Sequence, residues 1–242
     1  MINKNDIVAL ITARKNSQSI KNKNMAKLSG KPLIWYSIDA CAKSELITKT
    51  ILSTDSDEII KYSKKHNVNV YFKRPAKYST NTATDLSVFL HFINFLKING
   101  SHIPKYFIHI RPTCPIRNPK VIDEAIKLFI KSDHATSLRS VSLANENPYK
   151  MWHVNKKNEL IPVLKNNKYH SMPRQKIPKS YWQNGYIDII STKCIFKNSL
   201  TGNKILPFII KETIYDIDYL SDINNLKEVM KKSNKEDREY PS

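Results

Sequence analysis

Glycine is scarce in this sequence, with four in 242 residues, and none falls between Ala13 and Asn24, the stretch that follows the first apolar run. Neither G-x-G-x-x-G nor a Walker A loop can be written there, which argues against dinucleotide-dependent dehydrogenases and P-loop enzymes. Cysteine is rarer still. Cys41, Cys114 and Cys194 lie far apart, with no C-x-x-C and no Cys/His cluster at zinc spacing, so neither a disulfide framework nor a structural metal is indicated. No apolar run approaches the roughly 18 to 20 residues that span a bilayer, and Met1–Asp6 lacks the apolar stretch of a signal peptide. A cytoplasmic protein with no membrane partner is the expectation.

Acidic residues are also in short supply: 21 against 40 basic ones, a net charge of +19. Such a balance favours any polyanion, whether nucleic acid, membrane surface or phosphorylated substrate, and composition does not choose among them. Most of the cations are lysines spread along the chain beside asparagine, as on solvated faces. Five arginines stand apart. Arg14, Arg74, Arg111, Arg117 and Arg174 sit in short stretches with Pro, Ser, Thr or Asn, where a planar fork can grip phosphate or carboxylate.

What the chain does have is alternation. Ile7 to Ile11 is a continuous apolar run suited to a strand covered on both faces. Pro32 opens a helix with Leu33, Ile34, Ser37, Ile38 and Cys41 on one side, Lys49 to Thr54 is the next strand, and Asp55 with Glu58 makes a capping box for a second helix. Val68 to Phe72 is a third strand, Thr84 to Lys97 a helix, Tyr106 to Ile110 a fourth strand, and Asn118-Pro119 the start of another helix. Ala135 to Val141, Gly185 to Ile190 and Ile205 to Ile210 read as further strands, with a closing helix around Ile223 to Met230. The pattern predicts an α/β, Rossmann-like fold: an open, mostly parallel sheet with helices on both faces and ligands at the carboxyl ends of its strands. Two short strands around Asn155-Lys156-Lys157-Asn158 predict a hairpin extension. One domain over residues 1–232 is expected, with 145–182 as the extension and 233–242 as a polar tail.

Three stretches carry candidate chemistry. Ala13 to Asn24 follows the first strand, where phosphates are usually held, and offers Arg14, Ser17, Lys21, Lys23 and Asn24. Asp216 and Asp218, two apart on an extended segment, share a face and could share a hard cation, while Asp222 suits a helix cap. Arg111-Pro112-Thr113-Cys114-Pro115-Ile116-Arg117 could grip an anion or simply form a stiff turn. If the substrate is a nucleoside triphosphate, magnesium on the aspartates and charge on Arg14 and Lys23 act together in nucleotidyl transfer.

These stretches, in this order, resemble the acylneuraminate cytidylyltransferases, the CMP-sialic acid synthetases, a family that includes CMP-Kdo synthetases. The first loop fits A-R-x-x-S-K-x-[IL]-x-x-K-N followed by L-x-G-K-P-L-I at Leu28 to Ile34. Arg111 to Arg117 is similar to Q-P-T-S-P-x-R, and Asp216 to Asp222 to D-I-D-x-x-x-D. Pro173-Arg174-Gln175 and Asn184-Gly185-Tyr186 resemble the R-Q and N-G elements of the sugar pocket. The resemblance implies transfer of CMP from CTP to the anomeric hydroxyl of a nine-carbon acidic sugar, with Mg2+ as cofactor and a homodimer exchanging the hairpin arm. It implies Ala13, Arg14, Ser17, Lys23, Asn24, Arg74 and Thr84 for CTP, and Arg111, Arg174, Gln175, Asn184, Gly185 and Tyr186 for the sugar. Asp216 and Asp218 would hold the metal, with Arg14 and Lys23 beside them in catalysis.

Among the departures from the pattern, Gln18 bears on a phosphate contact, while Arg111 and Asp188 point to the substrate. Gln18 replaces a lysine, Arg111 a glutamine and Cys114 a serine, and Asp188 adds a carboxylate near the pocket. A sugar other than ordinary N-acetylneuraminate is expected, such as a legionaminate-like nonulosonate. The runner-up is a CMP-Kdo synthetase or another sugar nucleotidyltransferase. The rival class is a basic nucleic-acid-binding module, for which no RNP, KH, zinc-finger or helix-turn-helix signature appears, so no specific nucleic-acid partner is expected.

Overall fold

The computed structural model describes residues 6–165 and 168–239. In chain order the elements are β1 (Ile7–Thr12), β2 (Lys27–Leu28), β3 (Lys31–Pro32), α1 (Leu33–Lys43), β4 (Lys49–Ser53), α2 (Asp57–Lys64), α3 (Asp85–Ile98), β5 (Tyr106–Ile110), α4 (Pro119–Lys131) and β6 (Ser137–Leu143). They continue with β7 (Trp152–Val154), β8 (Leu160–Pro162), β9 (Tyr181–Ser191), α5 (Thr192–Phe196), β10 (Ile205–Ile209) and α6 (Leu220–Glu239). The central sheet runs β10-β6-β9-β5-β1-β4. All its strands point one way except β9, which is antiparallel to both neighbours. The reason is where the hairpin leaves: β6 ends at the carboxyl edge, the chain makes its excursion there, and Tyr181 re-enters paired with Leu143, so β9 has to run back.

Apolar side chains fill both faces. Ile34, Ile38, Ile122, Ile126 and Phe129 pack one side of the sheet, and Phe89, Phe92, Ile93, Leu96 and Ile195 the other. At roughly 2 kcal/mol per buried large side chain, these two layers are the main source of stability. A smaller cluster of Ile20, Leu28, Leu33, Ile217, Ile223 and Leu226 fastens α6 to the first loop. That cluster matters for the site, because it carries the segment from Asp216 to Asp218 across to residues nearly two hundred positions earlier.

Two local expectations are corrected. The stretch from Val68 to Phe72 makes one parallel bridge, Asn69 to Ile51, and no strand. Tyr71 and Phe72 turn instead to pack on Phe92 and Phe95 of α3, which pulls the backbone off the ladder. The cap of α2 is Ser56, whose side chain accepts from the Ile59 amide, because Asp55 is already used by the Lys15 amide at 2.7 Å. The hairpin forms where expected, as β7 and β8. α6 extends into the stretch read as a tail, and residues 240–242 lie outside the described ones. Among the described residues no helix is long and apolar enough to cross a membrane.

Candidate active site

In this sheet the connections leave β1 toward β4 on one side and β5 on the other, which opens a crevice at the carboxyl ends of β1 and β5. A cleft of about 280 Å3 lies there, lined among others by Thr12, Arg14, Ser17, Lys23, Asn24, Arg74, Asp85, Arg111 and Thr113. The first loop folds without glycine because asparagine supplies the left-handed turn: Asn22 has φ 54° and leads into a short 3-10 turn over Lys23–Met25. Asn24 then ties the loop to itself, its Nδ2 donating to the Arg14 carbonyl at 2.9 Å. Arg14 reaches across the cleft, with Nη1 donating to the Thr80 carbonyl at 3.0 Å and to Asn81 Oδ1 at 2.9 Å.

The decisive contact joins the two ends of the chain. Lys23 Nζ donates to the Ile217 carbonyl at 2.8 Å and to Asp218 Oδ1 at 3.1 Å, across 195 residues. The lysine is almost buried while Asp218 faces water, with side chains 9% and 64% exposed. Partial desolvation pushes the Asp216 carboxyl upward and the charge of Asp218 adds to it, while a bond with Thr113 and the charge of Lys23 pull it down. Thr113 also holds this segment through its carbonyl, which accepts from the Ile217 amide at 2.7 Å. The paired carboxylates therefore stand at the rim of the cleft. Asp222 does not sit at the cap position itself. From the first turn of α6 its Oδ2 accepts from the Asp218 and Tyr219 amides, fixing the approach of the aspartates.

Two carboxylates beside a cleft lined by Arg14, Lys23 and Arg74 fit Mg2+, which takes one or two carboxylates and completes its shell with phosphate oxygens and water. Among the described residues no group of three or more His, Cys, Asp or Glu could form a cage for a metal by itself. The donor set is one that a phosphate substrate would complete.

The opposite wall is a chain of charges. Arg111 Nη2 donates to Asp85 Oδ2 at 3.0 Å and its Nη1 to Asp188 Oδ2 at 2.7 Å. Asp188 is fully buried and also pairs with Arg139. The extra cation and the extra carboxylate thus neutralise one another, and Arg111 is not a free anion grip. His109 lies behind them, bonded to Thr12 Oγ1 at 2.9 Å. Burial, reinforced by Arg111, pushes its pKa down to about 3. A group depressed in this way contributes stability that is complete above its unfolded value near 6.5 and is lost as pH falls toward 3, up to roughly 5 kcal/mol by linkage. We expect the urea midpoint to fall steeply over that window, and His109→Asn to flatten the slope; parallel curves for the two proteins would refute the assignment.

Other residues singled out from the sequence lie away from the cleft lining. Ala13 is buried and its amide donates to the Ser53 carbonyl at 3.1 Å. Thr84 caps α3, accepting from the Ser87 amide. Arg174 and Gln175 are on the exposed arm, where Arg174 Nη2 donates to the Asn145 carbonyl at 2.8 Å. Asn184, Gly185 and Tyr186 form a bulge of β9. Asn184 Oδ1 accepts from Ser140 Oγ and the Tyr186 amide, Gly185 takes φ 68°, and the Tyr186 hydroxyl accepts from the Asn118 amide. The bulge turns two carbonyls, Gly185 and Tyr186, toward Arg117. Arg117 is therefore a buried clamp for the loop after β5 and not an anion grip. Gln18 and Lys21 are exposed and outside the lining. The sequence reading missed Thr12, Tyr78, Thr80, Asn81 and Asp85. For Thr80, Asn81 and Asp85 the polar run Thr80 to Asp85 before a helix was a signal, though it reads equally well as a cap; Thr12 and Tyr78 had none.

Known proteins share the family and the fold of this chain. Residues 8–235 match the family described as Cytidylyltransferase. The chain is similar to post-translational flagellin modification protein B of Campylobacter coli, 28% identical over 246 residues, covering 97% of this chain and 99% of that protein. It is also similar to CMP-N,N'-diacetyllegionaminic acid synthase of Campylobacter jejuni subsp. jejuni serotype O:2, 28% identical over 218 residues, covering 88% of this chain and 90% of the relative. In fold it is similar to a structure of CMP:2-keto-3-deoxy-manno-octonic acid synthetase complexed with CTP, with a TM-score of 0.68 at 12% identity over 94% of this chain and 99% of the other.

Proposed function

The chain belongs to the cytidylyltransferase family and is a nucleotidyltransferase, and from that premise we propose that it transfers CMP from CTP to the anomeric hydroxyl of a nine-carbon α-keto acid sugar, in the cytoplasm. The observation that supports the reading is the contact of Lys23 with Asp218, which joins the first loop, at the cleft lining, to the paired carboxylates beside it. In the reaction a bond forms between the anomeric oxygen and the α-phosphorus as the bond from that phosphorus to the α,β-bridging oxygen breaks; pyrophosphate departs and the hydroxyl proton passes to water. Arg14 and Lys23 face the charge that builds on it, Ser17 and Asn24 line the same loop, and Arg74 closes the β4 side. Burial lowers the pKa of Arg74 and the charges of Asp55 and Asp85 oppose that shift, so the guanidinium stays charged. Asp216 and Asp218 would hold Mg2+, whose chemistry is to neutralise phosphate oxygens.

The same reading has the protein act as a homodimer. The hairpin leaves Trp152, Val154, Leu160 and Ile161 exposed, a surface suited to a partner's cover, and Arg174 and Gln175 would meet the partner's sugar. A legionaminate-like acceptor is favoured by the legionaminate-named relative, which matches over most of both chains. The test is incubation with CTP, Mg2+ and separate N-acetylneuraminate, N,N'-diacetyllegionaminate and Kdo, with mass spectrometry of the product. Pyrophosphate release with a nine-carbon acid well above that with Kdo is expected. Turnover with Kdo alone would move the protein to the runner-up activity, and no turnover with any sugar would refute the proposal.

A further inference from the structure

The charge network on the β5–β9 wall is more than packing requires. Arg111, Arg139, Asp85 and Asp188 carry two charges of each sign, and Asp188 is completely buried between the arginines. Apolar residues of the same volume would hold the sheet at least as well, since burying ions costs several kcal/mol each before pairing recovers it. One end of the network is nevertheless open. Arg111 and Asp85 both line the cleft, with side chains 25% and 40% exposed. Behind them Asp188 is braced by Arg139 and, at 3.3 Å, by the Gln183 amide, so the exposed pair is held in one orientation.

Resting on the transferase reading above, we infer that Arg111 and Asp85 are specificity-determining residues that read a neutral amide on the acceptor sugar, with Asp188 as the positioning residue behind them. The wall has no net charge to attract a carboxylate. It sets N–H donors beside a carboxylate acceptor, the complement of a group that accepts through C=O and donates through N–H. Within the one cleft Asp85 interacts with both Arg74 and Arg111, and it is Arg111 that carries the pair toward the acceptor. Arg14, Asn81 and Arg74 crowd the β1–β4 side, whereas Arg111 is two residues from Thr113, the partner of Asp216, on the side where β9 enters from the arm.

Arg111→Gln leaves Asp188 paired with Arg139, so the buried charges stay balanced; Asp85→Asn changes only a half-exposed group. Initial rates are measured for wild type and both variants with CTP and, separately, N,N'-diacetyllegionaminate and Kdo, which bears no amide. Each variant should lose about 10- to 100-fold in kcat/KM for the diacetylated sugar, the worth of a charged hydrogen bond, while KM for CTP stays within about twofold. The ratio of diacetylated sugar to Kdo should fall at least about tenfold, a change that a merely structural defect would not produce. An unchanged ratio, or a rise in KM for CTP in place of the acceptor effect, would overturn the inference while leaving the transferase intact. Should Arg111→Gln fail to fold, Asp85→Asn decides by the same ratio. Absence of wild-type turnover with either sugar would overturn the inference together with the reading it rests on.

Discussion

Replacing Lys23 by methionine is expected to lower kcat/KM for CTP by about 10^3-fold while leaving the fold intact. Methionine keeps most of the apolar stem but removes the ammonium, which is the most deeply buried lysine charge facing the cleft. In a site shielded from water, a fixed cation aimed at developing negative charge contributes far more than on a surface, and losing one such group costs about 10^2- to 10^3-fold. Here the loss has a second part: Asp218 is left without its lysine partner, and the repulsion between Asp216 and Asp218 loses the cation that offsets it. The folded state should tolerate the change, because Asp218 is open to water and only the Ile217 carbonyl loses a donor. Single-turnover kinetics with thermal unfolding in parallel would check both halves. A variant within about fivefold of wild type would reduce Lys23 to a tether for the C-terminal segment.

Arg117→Met should be the most destabilising single change in the site region, by roughly 3 to 5 kcal/mol in urea unfolding. Its guanidinium donates to the Tyr186 carbonyl at 2.6 Å, the Arg111 carbonyl at 2.8 Å and the Gly185 carbonyl at 3.3 Å, and also to the Cys114 carbonyl and Ser37. Methionine fills the space and leaves those carbonyls desolvated without donors. Lysine is not expected to rescue, because a single ammonium cannot span acceptors arranged on three sides of a planar fork. Because the clamp shapes the loop that presents Arg111 and Thr113, CTP turnover should fall along with stability. An Arg117→Lys variant as stable as wild type would show that charge alone matters at this position.

Much of the architecture was legible because it is written locally. Helical spacing along Leu33 to Cys41, and Asn118-Pro119 ahead of Val121 and Ile122, depend on neighbours a few residues away, and those helices form where the pattern puts them. The failures were failures of context. Val68 to Phe72 has the composition of a strand, yet its aromatics found better partners on α3 than its amides found on β4. The five arginines show the same limit within the site. Their side chains are chemically identical, but Arg14 faces the cleft, Arg74 is buried at its wall, Arg111 is neutralised by two aspartates, Arg117 binds carbonyls and Arg174 sits on the arm.

The sequence by itself determined the α/β alternation, the glycine-free cationic loop, the paired aspartates and the hairpin, since each rests on spacing within a turn or a strand. The tertiary structure alone decided that β9 runs against its neighbours, that Arg111 and Asp188 cancel across 77 residues, and that Lys23 meets Asp218 across 195. Those contacts join positions whose separation along the chain carries no periodic signal, and they exist only after the packed sheet and its two helical layers have set the distances.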